Sequence, residues 1–428
     1  MLTLLVSATY FLCLLVQLNQ PVIGQLHTSS RWILDSDNHR VKLRCVNWAG
    51  HMEVNIPEGL QYQSVDTIST LIANYGFNCV RLTYSIDMAL APNTSVSDAF
   101  TLAAVSADVP VSNMTALYQQ TLTKNPFLAS STTLGVFAAV IDTLASKGIY
   151  TILDNHVSKA SWCCDLLDGN GWWDTAAGTN SWNSRYFHTG DWLKGLEFIA
   201  RFATEHPGVV GMSLRNELRP FPLLQDLNGH KDWYNLVTQA AITVHTANPD
   251  VLIIIGGSQS ATDLSFVSWN PLNTTAWAGK HVWEFHAYSF TVTNPNPTQS
   301  CWVAKAQYGT LSGFVLRRDE PYTGPLFLSE FGVGMTGGPK QGLSDREYKY
   351  LSCLVHYMES NDADWAVWAI QGSYYIRSSV IDYDESYGLL THNWSAWRNP
   401  KFSAMLGRMW QVTQGPDKKQ LLRVNSRP

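Results

Sequence analysis

Two glutamates follow apolar runs, where a carboxylate is costly. Glu217, in Arg215-Asn216-Glu217, ends the run 209–214, and Glu330, in Ser329-Glu330-Phe331-Gly332, ends the run 325–328. A glutamate on a solvated loop needs no explanation, but one that closes a buried run needs a partner. Two such groups facing each other suit the cleavage of an acetal. One protonates the leaving oxygen, while the other attacks the anomeric carbon or activates water. The acid must have a raised pKa, which a negative neighbour and partial burial supply.

The surrounding elements must carry these groups to one place. Eight short apolar runs each end in a polar or aromatic cluster: 41–47, 79–82, 150–153, 209–214, 251–255, 281–285, 325–328 and 365–370. Amphipathic helical patterns fall between several of them, over 65–75, 133–147, 192–205, 233–248 and 345–361, with Gly148 as a stop signal for the second. Strands buried on both faces and alternating with helices predict a parallel sheet. Eight such units predict an α/β fold, the (β/α)8 TIM barrel with long inserted βα loops, whose chemistry sits at the carboxyl ends of the strands. Residues 89–131, rich in Ser, Thr and Ala, read as a long surface loop capping the barrel. Residues 158–191 hold Trp162, Trp172, Trp173 and Trp182, and read as a cleft wall rather than packing.

Composition narrows the class. The chain has 428 residues, 29 Lys+Arg against 34 Asp+Glu, and 45% apolar residues, so a large core is available and nucleic acid is not the expected partner. It carries 17 Trp, which favours a flat stacking ligand such as a sugar. Residues 1–24 lack charged side chains and read as a secretory signal peptide, followed by a barrel over 25–410 and a loose tail over 411–428. No later run is long enough to span a membrane. Cys45, Cys79, Cys163, Cys164, Cys301 and Cys353 remain after the signal, with their connectivity open, although adjacent Cys163 and Cys164 are not expected to pair. Sequons at Asn93, Asn113, Asn273 and Asn393 fit a secreted, extracellular glycoprotein.

These clusters resemble glycoside hydrolase family 5, the cellulase/mannanase superfamily, over most of the chain. The resemblance implies a (β/α)8 barrel, the acid/base at Glu217 within Asn216-Glu217, and the nucleophile at Glu330. It also implies substrate-binding positions at Arg81 in Asn-Cys-Val-Arg-Leu, His156 in Leu-Asp-Asn-His, His286 and Tyr288 in His-Ala-Tyr, and Trp368 in Trp-Ala-Val-Trp. Trp368 is preferred to Trp365 by spacing. In this reading Arg81 keeps Glu330 ionised, Asn216 donates to the sugar 2-hydroxyl, and Tyr288 bonds the nucleophile. His156 and His286 line the sugar site, and Trp368 stacks beneath the ring. Anomeric retention is implied, which requires carboxyl groups roughly 5 Å apart. The long loop after the second strand, the Trp-Cys-Cys-Asp stretch and Gly-Gly-Ser look most like the plant cellulase-like members, here without a carboxyl-terminal ricin-type lectin module.

The expected activity is a secreted endo-β-glycanase on a β-1,4-linked polysaccharide, cellulose- or mannan-like. It needs no cofactor and no metal, and acts as a monomer. The alternative is a non-catalytic carbohydrate-binding protein on a hydrolase scaffold. A metal-dependent hydrolase using His156, Glu217 and His286 is disfavoured, because no His-x-His or His-Glu-x-x-His pattern supports it.

Overall fold

A computed structural model describes residues 24–220, 230–290 and 300–416. Residues 1–23 of the 1–24 signal-peptide reading and the end of the tail, 417–428, lie outside the described residues. Eight parallel strands close into a barrel in chain order: β1 (Arg44–Trp48), β2 (Cys79–Ser85), β3 (Tyr150–Val157), β4 (Val209–Ser213), β5 (Leu252–Gly256), β6 (His281–Ala287), β7 (Leu326–Phe331) and β8 (Asp364–Val367), with β8 pairing both β7 and β1. All eight runs predicted from sequence are strands of this barrel.

Strand alternation sorts side chains into layers inside the barrel. Cys79, Ile152 and Val282 lie in an apolar floor cluster. Two residues further along the same strands come Arg81, Asp154 and Glu284, all buried. Two further on come Thr83, His156 and His286, also buried. The neighbouring residues of opposite parity, such as Val80, Leu82, Leu153, Trp283 and Phe285, join the larger cluster packed under the helices.

Five helices match the predicted patterns, α1 (Val65–Tyr75), α4 (Thr133–Ser146), α5 (Thr189–Thr204), α6 (Lys231–Ala247) and α8 (Asp345–Asn361), whereas α2 (Val96–Ser106) and α3 (Val111–Lys124), inserted before α4, and α7 (Cys301–Leu311) were not predicted. In α1, Ser64 caps the start by accepting from the Thr67 amide, Ile68 and Ile72 face the barrel, and Gly76 ends it at φ 102°, a conformation that suits glycine.

Four expectations are corrected. The segment 89–131 is not a loop: α2 and α3 bury Val96, Ala99, Phe100, Ala103, Met114 and Leu117, so the alanines serve as helix formers and Ser95 as an N-cap. The Trp-rich segment is only partly a cleft wall. Trp172 and Trp173 are buried, and Trp173 packs against Phe187 and Trp192 at 5.5 and 5.6 Å, whereas Trp182 is 64% exposed. Cys163 and Cys164 are joined to each other, against the expectation from their adjacency, alongside Cys45–Cys79 and Cys301–Cys353. The segment after Trp410 starts out anchored: Lys42 Nζ donates to the Gln411 carbonyl (3.0 Å), and the amides of Thr413 and Gln414 donate to Asp362. The four sequon asparagines are exposed, and no helix among the described residues is long and apolar enough to cross a membrane.

Candidate active site

The charged middle layer organises the site. Arg81 is fully buried, and its guanidinium serves five acceptors. Nη1 donates to Glu330 Oε1 (2.8 Å) and Asn47 Oδ1 (3.0 Å). Nη2 donates to Asp154 Oδ1 (2.8 Å), Asn216 Oδ1 (2.9 Å) and Glu284 Oε1 (3.0 Å). One cation thus faces three carboxylates. Burial opposes its charge, but Asp154, Glu284 and Glu330 outweigh that penalty and raise its pKa further.

Strand register brings the second cation into place. The β6–β7 ladder pairs Phe285 with Leu328, then shifts so that His286 lies opposite Glu330. A bulge next to a site re-aims side chains in this way. His286 Nδ1 donates to Glu217 Oε1 (2.9 Å) and lies 3.7 Å from Glu330 Oε2. Burial pulls the imidazole pKa down, but Glu330, Glu217 and Glu284 raise it to about 10, so it is an imidazolium. The donor atoms of Glu217, His286 and Glu330 all lie within 4.8 Å of one another. A metal ion there would have to displace that proton, because a ligating histidine must be neutral.

The remaining groups fix the two carboxylates. Tyr288 Oη donates to Glu330 Oε2 (3.1 Å), so both Glu330 oxygens accept a hydrogen bond. Burial pushes the Glu330 carboxyl up; His286 and Arg81 oppose this, Glu217 and Asp154 add to it, and the balance is upward. Glu217 sits at φ 42°, an unusual conformation for a non-glycine residue and one found preferentially at functional sites. Its Oε2 is 4.0 Å from Arg219 Nη1, and its carbonyl accepts from the same nitrogen at 2.7 Å. Asn216 gives its oxygen to Arg81, which turns Nδ2 toward His156 Nε2 (3.4 Å). His156 Nδ1 lies 2.6 Å from Asp154 Oδ2, and burial together with Arg81 and His286 lowers its pKa well below the usual value. Trp368 lies over His156 in a near-parallel stack at 5.3 Å, whereas Trp365 is buried and donates to the Met409 carbonyl.

All eight residues singled out from sequence therefore converge at one end of the barrel. Asp154, Glu284 and His51 went unnoticed. Asp154 and Glu284 stand two positions before His156 and His286, and strand periodicity alone places each on the same face. Burial pushes Asp154 to about 7 against the pull of Arg81, while Arg81 and His286 overcome burial at Glu284 and hold it near 2. His51 lies 4.0 Å from His156, ring to ring. Trp162 meets Trp368 edge-on at 6.4 Å and carries the Arg377 guanidinium 3.3 Å above its ring. The sulfurs of Cys163 and Cys164 approach Asn216 Nδ2 at 3.6 and 3.5 Å.

Comparison with known proteins bears on the family and the fold. Residues 34–373 match the family model for cellulase, glycosyl hydrolase family 5. A glycosyl hydrolase 5 family protein of Chamaecyparis obtusa is 39% identical over 397 residues, covering 91% of this chain and 67% of the relative. An endoglucanase of Paenibacillus polymyxa is 23% identical, covering 91% of this chain and 87% of its own. Among solved structures, the catalytic domain of the major endoglucanase from Xanthomonas campestris superposes with a TM-score of 0.67 at 20% identity, over 90% of this chain and all of that one. An endocellulase from Pyrococcus horikoshii, solved with cellotetraose, superposes with a TM-score of 0.68 at 17% identity over 92% of this chain and all of that one. A closed (β/α)8 barrel matched over most of its length by the family model makes this chain a member of glycosyl hydrolase family 5, the cellulase family.

Proposed function

We propose that the chain hydrolyses a β-1,4-linked polysaccharide, cellulose- or mannan-like, with retention of anomeric configuration, Glu330 acting as nucleophile and Glu217 as acid/base. The observation that carries this reading is the approach of the two carboxylates to within 4.8 Å. That gap suits direct attack on the anomeric carbon and is tight for an intervening water.

The two roles follow from unequal surroundings. Glu330 already has donors on both oxygens, Arg81 and Tyr288, so a proton placed there would displace one of them. Glu217 Oε2 lies 4.0 Å from Arg219 Nη1, beyond hydrogen-bond reach, and is the oxygen assigned here to the departing glycosidic oxygen. Glu217 then delivers a proton to the departing glycosidic oxygen as Glu330 attacks. In the second step Glu217 takes a proton from water, and the water oxygen displaces Glu330 from the sugar. Asn216 Nδ2, oriented by Arg81, meets the 2-hydroxyl, a contact that strengthens in the transition state. His286, as an imidazolium beside both carboxylates, steadies their combined charge through the cycle.

The names of the endoglucanase relatives favour a glucan backbone and endo action. Exposed sequons and three disulfides favour a secreted glycoprotein. The test is reducing-sugar release from a soluble cellulose derivative, mannan, xyloglucan and mixed-linkage glucan, with Glu217→Gln and Glu330→Gln in parallel. Release on at least one β-1,4 polymer, abolished by either substitution, is expected. Oligosaccharide binding without release, across about pH 4–7 where one glutamate is protonated, would instead make this a carbohydrate-binding scaffold.

A further inference from the structure

The Cys163–Cys164 pair lies outside the reaction just described, yet it forms part of the same wall. Both sulfurs and a ring nitrogen of His156 lie within 4.8 Å of one another. His156 Nδ1 is bound to Asp154 Oδ2 at 2.6 Å, so Nε2 is the nitrogen left for an ion. A carboxylate behind an imidazole in this manner is the usual support of a metal-binding histidine. Arg219 straps the cysteine loop in place: it meets Cys163 Sγ at 3.5 Å, the Asp165 carbonyl at 3.2 Å, and Asp168 through two bonds of 3.0 and 2.8 Å. Cys163 is buried and Cys164 half-buried, so an ion could reach the pair from the cleft.

We propose that, once reduced, Cys163 and Cys164 join His156 to form a two-sulfur, one-nitrogen site for a thiophilic d10 ion such as Zn2+ or Cd2+, set against Asn216 in the wall of the cleft. Two thiolates and an imidazole select such an ion over Mg2+ or Ca2+, which prefer oxygen ligands. The site forms in two balanced steps. A trialkylphosphine gives an electron pair to the disulfide and, with water, becomes the phosphine oxide while two thiols form. The divalent ion then displaces both thiol protons. A fourth ligand position remains for water. An ion seated there lies beside the Nδ2 that would meet the sugar 2-hydroxyl, so occupancy blocks hydrolysis; that consequence rests on the function proposed above.

Two other clusters among the described residues offer similar donor types. The Glu217, His286 and Glu330 trio has a protonated histidine. Asp35, Asp37 and His39 form a largely exposed group, with the His39 side chain 68% exposed.

The test titrates Cd2+ into the folded, phosphine-reduced chain and follows thiolate-to-cadmium charge-transfer absorption. One equivalent should develop the band in the reduced wild type, and none should appear without reduction. Cys163→Ser and Cys164→Ser should each weaken binding at least tenfold, and Asp154→Asn by about 10–100-fold, as for a residue supporting a ligand. A band of equal strength and affinity in reduced Cys163→Ser/Cys164→Ser overturns the proposal, since the other cysteines would then be the binders. Should these variants not fold, the wild type still decides. Cd2+ must protect Cys163 and Cys164 from alkylation in peptide maps, and equal labelling with and without the ion overturns the site. Hydrolysis that persists at saturating Cd2+ overturns its placement against Asn216. The absorption readout needs no turnover, so a band in a chain inactive on every glycan upholds the metal site while refuting the proposed function.

Discussion

Replacing Arg81 by Met should expose how much of the barrel interior depends on one cation. The substitution keeps an unbranched chain in the buried slot but strands Asp154, Glu284 and Glu330, which the guanidinium meets at 2.8, 3.0 and 2.8 Å. Breaking one partner of a buried ion pair costs about 3–5 kcal/mol. Each stranded carboxyl has an escape, because it can take up a proton. At about pH 7.5, holding a carboxyl neutral some three units above its ordinary value costs about 4 kcal/mol. At about pH 4.5 the same proton costs almost nothing, because the unfolded carboxyls are themselves near half-protonated. His286 can compensate one carboxylate, so the net loss near neutrality should be about 4–8 kcal/mol, shrinking toward the acid end. The assay is urea unfolding of wild type and variant between about pH 4.5 and 7.5. A loss under about 1 kcal/mol, or one that does not grow with pH, would refute Arg81 as the shared counter-ion.

Further predictions concern the same layer and the packing around it. His286, raised from 6.5 to about 10, binds more protons folded than unfolded, so its stabilisation is complete below about 6.5 and lost as pH rises toward 10. Asp154, raised to about 7, acts in the same sense, with its stabilisation present at low pH and lost as pH rises through 7; Glu284, held near 2, acts oppositely at the acid end. The urea midpoint should therefore fall between about pH 6.5 and 9, and His286→Gln should flatten that limb; a midpoint that rises there contradicts the charge assignment. Glu217→Gln should reduce turnover by about 10²–10⁴-fold, the usual worth of a positioned acid, without changing the unfolding midpoint by more than a small amount. Trp173→Ala should destabilise by about 3–5 kcal/mol, because the indole is packed against Phe187 and Trp192. Trp269→Ser, at an 88% exposed position, should stay within about 0.5 kcal/mol of wild type by the same denaturation measurement.

Much of this architecture was legible because barrel strands are buried on both faces. Runs such as Leu-Ile-Ile-Ile-Gly admit few other readings, and each ends where a parallel barrel collects its polar side chains. The eight candidate residues were visible for that reason. Their buried support was less visible, since Asp154 and Glu284 follow only from counting two residues back from each histidine. The shift that sets His286 opposite Glu330 depends on how two strands meet, which neither strand's sequence contains. Composition misled at 89–131, where Ser and Thr suggested a loop although Val96, Ala99, Phe100 and Ala103 recur at helical spacing. Trp172 and Trp173 could be told from Trp162 only by their neighbours in space, because indoles suit a core as well as a cleft.

The most direct measurement is covalent trapping with a 2-deoxy-2-fluoro β-glycoside carrying a good leaving group, followed by peptide mass spectrometry. A single glycosyl unit should appear on the peptide bearing Glu330, and none in Glu330→Gln. A label on Glu217 instead, or polysaccharide hydrolysis with inverted anomeric configuration and no adduct, would contradict the assignment of the two carboxylates.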